Sequence, residues 1–247
     1  MRKIKILGVK INDSSLSEVK AEIERFLFSD RPHLITTVNP EIVLKAKRDS
    51  AYQAILNQAS LSLADGVGLI YASAFLRQKI RHRITGNDLV DLICRLAEEK
   101  KHSVYLLGGR GEVPRKAADK LRKKFPLLKI AGTSNGSLNG RELLDRELVE
   151  KIRATQPAVL LVAFGAPKQE KWLFNNLPNL PFVRIGVGVG GAFDFLAGRV
   201  KRAPLFLQKI GLEWLWRLFC QPWRIFRIFN AVFRFSWIII KNKKNEE

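Results

Sequence analysis

Polar side chains follow several short apolar runs of the sequence, at the points where the strands of a parallel sheet would end. Asp65 comes directly after the run 61–64 and precedes Gly66 and Gly68, glycines that let the backbone approach a ligand closely. A carboxylate in this place can take the proton of an attacking hydroxyl when burial raises its pKa. Asp65 is therefore the best candidate for a general base, with capping of the next helix as the alternative.

A second polar group follows the apolar run 34–38, where Thr37 and Asn39 stand just before Pro40. Because proline is favoured at the first position of a helix, we expect a strand end followed by a helix start. The hydroxyl and amide groups are candidates for binding a ligand, and a simple helix N-cap explains them equally well.

Cationic and glycine-rich segments offer places for phosphate. Arg81 and Arg83 lie before a predicted helix, where guanidinium groups and helix amides can hold an anion; a solvated charged loop is the ordinary alternative. The run 108–111 begins with Gly108 and Gly109 and joins a strand to a helix, as phosphate-binding loops do. It fits no standard nucleotide motif, so it indicates a nucleotide only in combination with other features.

Two further patterns concern cofactors. The run 186–191 matches Gly-x-Gly-x-x-Gly, but the stretch 192–198 is too short for the helix of a dinucleotide-binding fold, so we expect no dehydrogenase. No Asp-x-Asp follows any apolar run, so the carboxylate pair that holds a divalent ion against a sugar-nucleotide diphosphate is not expected. We predict that neither a metal nor another cofactor is used and that Arg and Lys supply the positive charge.

The elements that must position these groups follow an alternating pattern. Strand-like runs alternate with helical periodicity up to about residue 190, which predicts an α/β, Rossmann-like fold: a mainly parallel sheet with helices on both faces. Ligands bind such sheets beyond the carboxyl ends of the strands. The predicted strands are 1–8, 34–38, 61–64, 104–107, 158–162 and 182–185, and the predicted helices are 15–28, 87–100, 113–125 and 141–155.

The chain of 247 residues carries 43 Lys+Arg against 23 Asp+Glu, a net charge of +20. This charge predicts a polyanionic partner: nucleic acid, acidic lipid or a diphosphate substrate. The length fits one large domain with or without an appendage. Cys94 and Cys220 have neither disulfide nor metal-ligand spacing, and the N-terminus lacks the features of a signal peptide, so we expect a cytoplasmic protein.

The tail, residues 196–247, is predicted to be an appendage to a core of residues 1–195. Its arginines and Pro222 interrupt every window that could span a bilayer. Instead, one helical face is basic and another aromatic, the pattern of a helix that lies in a membrane interface. A helix packed on its own domain or on a sister subunit is the alternative. The two faces consist of Arg224, Arg227 and Arg234, and of Phe226, Phe229 and Phe233.

Six motifs, taken together, resemble the WecG/TagA/CpsF family of inverting glycosyltransferases (glycosyltransferase family 26) over nearly the whole chain. The tail resembles the C-terminal appendage of the TagA branch, whose enzymes act in the synthesis of the wall teichoic acid linkage unit. The motifs are Thr37-Val38-Asn39-Pro40, Ala64-Asp65-Gly66-Val67-Gly68, Arg83-Ile84-Thr85-Gly86-Asn87-Asp88, Gly108-Gly109, Phe164-Gly165-Ala166-Pro167-Lys168-Gln169-Glu170 and Gly188-Val189-Gly190-Gly191-Ala192-Phe193-Asp194.

The resemblance implies transfer of N-acetylmannosamine from UDP-N-acetylmannosamine to undecaprenyl-diphosphate-linked N-acetylglucosamine, with a β-1,4 bond and no metal. It places the protein at the inner face of the cell membrane. Exposed apolar surface on a tail detached from the core would favour a homo-oligomer. Two alternatives stay open: another UDP-sugar donor, such as UDP-N-acetylmannosaminuronic acid, and a non-catalytic protein that binds nucleic acid.

The resemblance also assigns roles to residues. Asp65 is the base, and Thr37 and Arg83 are further catalytic residues that line the sugar and diphosphate pocket. Arg217, Arg224 and Arg227 close over the diphosphate. Ser137 stands where many relatives carry an aromatic side chain that stacks on uracil, so the binding of the base is left open. The remaining substrate-binding residues implied by the motifs are Asn39, Gly66, Asn87, Gly108, Gly109, Asn135, Gly136, Gln169, Gly190 and Asp194.

Overall fold

The computed structural model describes residues 1–136, 146–209, 211–222 and 225–244. Its described strands form one eight-stranded sheet in the order β1-β2-β4-β3-β8-β7-β5-β6. Among the described strands only the N-terminal hairpin pairs antiparallel, and the other pairings are parallel. The strands are β1 (Arg2–Ile6), β2 (Val9–Asp13), β3 (His33–Val38), β4 (Leu61–Ala64), β5 (Ser103–Gly108), β6 (Lys129–Ser134), β7 (Val159–Ala163) and β8 (Ile185–Gly188).

Helices connect the parallel strands, as the alternating pattern predicts, and two of them begin with a capping box. Ser15 and Thr85 each form a capping box with the acidic residue three positions later, Glu18 and Asp88. The core helices are α1 (Leu16–Leu27), α2 (Pro40–Arg48), α3 (Ser50–Gln58), α4 (Val67–Phe75), α5 (Gly86–Glu99), α6 (Val113–Lys124), α7 (Arg146–Thr155), α8 (Lys168–Asn176) and α9 (Ala192–Leu196).

The central strands are buried on both faces, because their side chains alternate between two layers of helices. In β5, Val104 and Leu106 join the core under α1, α5, α6 and α9, whereas Tyr105 and Leu107 join the core under α3, α7 and α8. A third cluster joins the hairpin to α2 and α4. The predicted α/β architecture with helices on both faces is thus confirmed.

The strand and helix predictions succeed where apolar runs are long. β8 is the clearest error: the strand was predicted at 182–185 but begins at Ile185. Its sequence Ile185–Gly188 is half glycine, so no apolar run marks it. β2 and β6 were not predicted as strands. The predicted helix 141–155 is seen as Arg146–Thr155, and its first five residues lie outside the described part of the chain.

The tail forms α10 (Leu205–Lys209), α11 (Glu213–Cys220), α12 (Ile225–Phe229), a π-helical turn (Asn230–Arg234) and α13 (Phe235–Lys244). It packs on the core at its far end, where Phe235 and Ile239 are buried in the cluster of α2, α4 and the hairpin. Packing on its own domain, the alternative to membrane contact, therefore holds for one face of α13.

The opposite face of the tail is exposed and apolar. None of the helices in the described ranges is long and apolar enough to cross a bilayer. The exposed residues, called the aromatic stripe below, are Ile225, Phe226, Phe229, Phe233, Trp237 and Ile240.

Candidate active site

A large cavity of about 1370 Å³ lies where the parallel strands end, between the loops of the sheet and the tail. Pockets for drug-sized ligands usually measure roughly 300–1,000 Å³, so this cavity has room for a sugar nucleotide and part of a second substrate. Most of the residues predicted for the site line it: Thr37, Asn39, Asp65, Gly66, Arg83, Asn87, Gly109, Asn135, Gly136, Gln169, Gly190, Asp194 and Arg227.

Strand register brings Asn39 and Asp65 side by side. Val38 and Ala64 are partners in the parallel pair β3–β4, so the residue after each one emerges at the same edge. The backbone N–H of Asp65 donates to the carbonyl of Val38 at 2.8 Å, which ties the two strand ends together. Asp65 is half-buried at the cavity wall.

Two glycines allow the helices that follow these strands to start in contact. A β-carbon on Gly66 would lie 2.7 Å from Cδ of Pro40, and one on Gly68 would lie 2.9 Å from Cγ of the same proline. The N-termini of α2 and α4 can therefore approach only with glycine at these positions. Glycine beside Asp65 thus sets the distance between the two polar strand ends.

Asn39 caps a helix, the role that the sequence analysis gave as the alternative to ligand binding. Its Oδ1 accepts a hydrogen bond from the backbone N–H of Ile42 at 3.0 Å and so caps α2. Capping uses only the amide oxygen, so the two N–H groups of the side chain remain as donors to a ligand. Thr37, almost fully buried, donates from its hydroxyl to the carbonyl of Gly188 at 3.4 Å and joins β3 to the glycine-rich end of β8.

Gln169 holds two loops of the site together. Its side-chain oxygen accepts hydrogen bonds from the backbone N–H groups of Gly165 and Gly190, each at 3.0 Å. Its side-chain nitrogen donates to Oε1 of Glu170 at 2.7 Å. Although it lines the cavity, Gln169 is 3% exposed, so its amide fixes the loops rather than reaching freely into the cavity.

Glu170 was not among the predicted site residues, yet it orients Gln169. It is fully buried, and its Oε2 accepts a hydrogen bond from the Tyr52 hydroxyl at 3.0 Å. Burial raises the pKa of Glu170, and the hydrogen bonds from Gln169 and Tyr52 only partly oppose this shift. Burial and the nearby carboxyl raise the pKa of Tyr52 as well. The signal that could have found the pair is a Gln-Glu dipeptide near the start of a helix, just before the apolar residues Trp172 and Leu173.

Gly108 and Gly109 differ in position. Gly109 and Gly136 lie in the cavity wall, both with positive φ, whereas Gly108 is not part of the described lining. A β-carbon on Gly108, whose φ is +103°, would lie 2.8 Å from the carbonyl carbon of Ala163. Gly108 therefore serves the close packing of β5 against β7.

The two arginines of the basic loop 81–83 have different roles: Arg81 anchors the loop, and Arg83 lines the cavity. Arg81 donates from its backbone N–H and its Nε to the buried Asp13, at 2.8 and 3.0 Å, and so anchors the loop to the hairpin. Burial would raise the pKa of Asp13, but the hydrogen bonds from Arg81 outweigh it and lower that pKa. Arg83 lines the cavity and has Nη2 3.9 Å from Oε2 of Glu213 in the tail.

The tail arginines have different positions. Arg227 lines the cavity, but both its Nε and its Nη2 bind the carboxylate of Glu41, at 2.9–3.1 Å. Arg217 falls within α11. Arg224 and Ser137 lie outside the described residues, so the predictions on them stay predictions.

Further cations line the cavity that sequence reasoning did not select as site residues. Arg110, Arg199 and Lys201 are exposed at its wall, and Arg199 and Lys201 follow directly on the segment that carries Asp194. Basic residues after a glycine-rich motif were the available signal. No group of three or more His, Cys, Asp or Glu suited to a metal ion occurs within the described ranges.

Comparison with known proteins gives a consistent result. The chain matches the family described as "Glycosyl transferase WecG/TagA/CpsF family" over residues 4–247, a range that includes the tail. It is similar to the N-acetylglucosaminyldiphosphoundecaprenol N-acetyl-beta-D-mannosaminyltransferase of Bacillus subtilis (strain 168), with 32% identity over 214 residues, 87% of this chain and 81% of the relative. Proteins of the same name from Staphylococcus aureus strains MRSA252 and NCTC 8325 / PS 47 are 33% identical over 244 residues, 98% of this chain and 94% of each relative.

Proposed function

The chain belongs to the glycosyl transferase WecG/TagA/CpsF family, and from this membership we propose that it transfers N-acetylmannosamine from its UDP-sugar to undecaprenyl-diphosphate-linked N-acetylglucosamine. The product would be the β-1,4-linked disaccharide lipid of the wall teichoic acid linkage unit. The observation that carries the proposal is the single cavity that joins Asp65, the glycine loops and several cations at the carboxyl ends of the strands.

The reaction needs a base at the acceptor hydroxyl. In an inverting displacement the 4-hydroxyl oxygen of the acceptor attacks the anomeric carbon, the bond from that carbon to the UDP oxygen breaks, and a carboxylate takes the hydroxyl proton. Asp65 supplies this carboxylate. Its neighbour Asn39, fixed by its capping bond to Ile42, offers amide N–H groups to a sugar hydroxyl.

The departing UDP needs positive charge. Arg83, Arg110, Arg199 and Lys201 line the cavity and can stabilise the negative charge that develops on the leaving diphosphate. The loops carrying Gly165 and Gly190, held by Gln169, give backbone a close approach to the donor. In this assignment Arg227 would reach the diphosphate only after leaving Glu41.

The composition of the tail supports peripheral binding to the inner face of the cell membrane. Its aromatic stripe is exposed, and Ile240 at the end of the stripe also lines the cavity. Indole and phenyl groups on a basic helix suit the headgroup boundary. A lipid-linked acceptor would then enter from the membrane side. The same exposed stripe favours self-association when no membrane is present.

The test is a transfer assay with purified full-length protein, a short-chain lipid-diphosphate N-acetylglucosamine acceptor and a panel of UDP-sugars. We expect UDP-N-acetylmannosamine to be the preferred donor. Preference for an acidic mannosamine donor would place the chain elsewhere in the family, and no transfer from any UDP-sugar would overturn the proposal.

The variant Asp65→Asn tests the base within the same assay. We expect the transfer rate to fall roughly 100- to 10,000-fold, the range typical of a general base, while binding of the UDP-sugar stays close to wild type. Asp119→Asn, on the exposed face of α6, is the matched control and should transfer normally. Undiminished transfer by Asp65→Asn would remove Asp65 from the mechanism.

A further inference from the structure

A second, smaller cavity of about 580 Å³ lies behind the first, between α2, the start of α8 and the π-helical turn of the tail. Glu41 and Arg227 line both cavities, and their ion pair forms part of the shared wall. Phe164, Gly165 and Ala166 line both cavities as well. The rest of the second cavity's lining contains none of the residues assigned above to proton transfer or to the sugar nucleotide.

The second cavity is strongly basic. Its cations come from three separate parts of the chain, and the carboxylate of Glu41 is the single acidic group in its described lining. Lys45 and Arg227 share that carboxylate. Arg48, Lys168 and Arg234 line the cavity as well, and no acidic side chain of the described residues lies within ion-pair distance of any of them.

Such an excess of like charge around a concave surface favours an anion. Lys168 is the first residue of α8, so the positive end of the helix dipole adds to the three free cations. Folding brings Arg48, Lys168 and Arg234 together against their mutual repulsion, and a bound phosphate would offset that repulsion with charge-assisted hydrogen bonds.

The surroundings identify the kind of anion. Asn230 and Arg234 of the cavity wall belong to the same turn as Phe233, and Phe229 precedes it directly. Phe229 and Phe233 pack against one another as a tilted pair, with ring centroids 5.1 Å apart, and both are exposed. A phosphate held beside exposed aromatic rings matches a lipid headgroup at a membrane boundary.

We infer that the second cavity binds the phosphate of an anionic phospholipid headgroup through Arg48, Lys168 and Arg234. This inference rests on the proposed binding of the tail to a membrane. It adds a site on the core itself, so the α2 and α8 ends of the domain, and not only the tail, contact the bilayer. The phosphates of the polyprenyl acceptor share the same chemistry, and the experiment separates these two sources.

The experiment measures the binding of full-length protein to vesicles of phosphatidylcholine alone and of phosphatidylcholine mixed with phosphatidylglycerol. The test variant is Arg48→Gln/Lys168→Gln, two exposed residues of the core. The matched control is Lys116→Gln/Lys120→Gln on the exposed face of α6, which removes the same charge from another surface. A thermal melt of each variant verifies that the fold is retained.

We expect the test pair to bind phosphatidylglycerol vesicles about tenfold more weakly than the control pair, because charge-assisted bonds are lost and not only net charge. Arg234→Gln should weaken binding in the same way. Transfer to a soluble short-chain acceptor without vesicles should stay within about twofold of wild type, since the altered residues hold the lipid and not the acceptor.

The other outcomes contradict the inference in different ways. Equal losses of vesicle binding in the test and control pairs would mean that net charge alone, and not this cavity, determines the binding. A raised KM for the short-chain acceptor, with unchanged vesicle binding, would assign the cavity to the acceptor diphosphate. No binding of wild type to any vesicle would overturn both the headgroup site and the proposed membrane binding of the tail. The proposed reaction is decided separately, by the transfer assay alone.

Discussion

At the scale of single residues, the buried pair Gln169–Glu170 offers the sharpest test of how the site is held. Both oxygens of Glu170 accept hydrogen bonds, from Gln169 and from Tyr52, in a fully buried position. Glu170→Gln keeps an acceptor for Gln169 and places an amide against Tyr52, so we expect transfer close to wild type. Glu170→Ala leaves the donors of Gln169 and Tyr52 without an acceptor, so we expect a loss of about 2–4 kcal/mol in unfolding free energy.

The same pair makes a prediction about pH. The raised pKa of Glu170 means that its contribution to stability is fully present below the ordinary value of 4.5 and is lost as pH rises through the folded-state pKa. Glu170→Gln cannot ionise, so its stability relative to wild type should increase with pH across that window. Denaturant unfolding at a series of pH values measures this difference, and a difference that is flat with pH would argue against it.

Sequence reasoning at this scale finds residue types but not their partners. Asp65 and Asn39 were predicted because each follows an apolar run directly, and both line the cavity. The pairing of Arg227 with Glu41 joins residues 186 positions apart, and that of Arg83 with Glu213 joins a core loop to the tail. No local pattern encodes such contacts, because they depend on how the tail lies over the core.

At the scale of elements, the approach of α2 and α4 depends on the missing side chain of Gly66. We expect Gly66→Ala to push Pro40 away, to cost about 1–3 kcal/mol of unfolding free energy and to slow transfer by separating Asn39 from Asp65. Gly86→Ala is the control, since its added carbon would meet only ordinary contacts, the nearest at 3.7 Å. Thermal melts and initial transfer rates report both effects. Equal rates for the two variants would show that the spacing of the helix starts does not matter.

The elements themselves were predictable in proportion to their burial. β3 has six buried residues and β4 four, and both were predicted to within a residue. β6 at the sheet edge is mostly half-exposed and holds Lys, Gly, Thr and Ser, so no apolar run marks it. β8 is buried but rich in glycine because the side chains of Gln169, Leu173 and Leu177 pack against its backbone. A β-carbon on Gly188 would lie 2.6 Å from Gln169, and one on Gly186 would lie 2.8 Å from Leu173. The packing of other elements explains its composition, which the strand's own pattern cannot reveal.

At the scale of the whole molecule, the tail is a second layer laid over the strand ends. Its buried face meets the hairpin and α2 through Phe235 and Ile239, and its exposed face presents the aromatic stripe. A basic, aromatic composition predicted the exposed face, whereas the division of the apolar residues between two faces depends on the π-helical turn, which shifts the helical phase at 230–234. The site is therefore assembled by the full chain rather than by the α/β core alone.

Glu41 links these layers, so its removal should loosen the tail without unfolding the core. Burial alone would raise the pKa of Glu41, but the hydrogen bonds from Arg227 and Lys45 hold it below its ordinary value of 4.5. The pair therefore stabilises the docked tail above that value and loses its effect as pH falls through the lowered pKa. We expect Glu41→Gln to remove this acid-dependent step and, at neutral pH, to cost about 1 kcal/mol, since Arg227 can return to water.

Hydrogen exchange distinguishes tail loosening from general destabilisation. In Glu41→Gln the amides of 225–234 should exchange several-fold faster at neutral pH, while those of α5, deep in the opposite layer, stay protected as in wild type. Glu22→Gln, which breaks a Glu–Arg pair on α1 far from the tail, should leave 225–234 unchanged. Because Arg227 stands in the wall of both cavities, faster exchange in this segment should accompany altered transfer. Unchanged exchange in Glu41→Gln would mean that other contacts, such as those of the buried Phe235 and Ile239, keep the tail over the site.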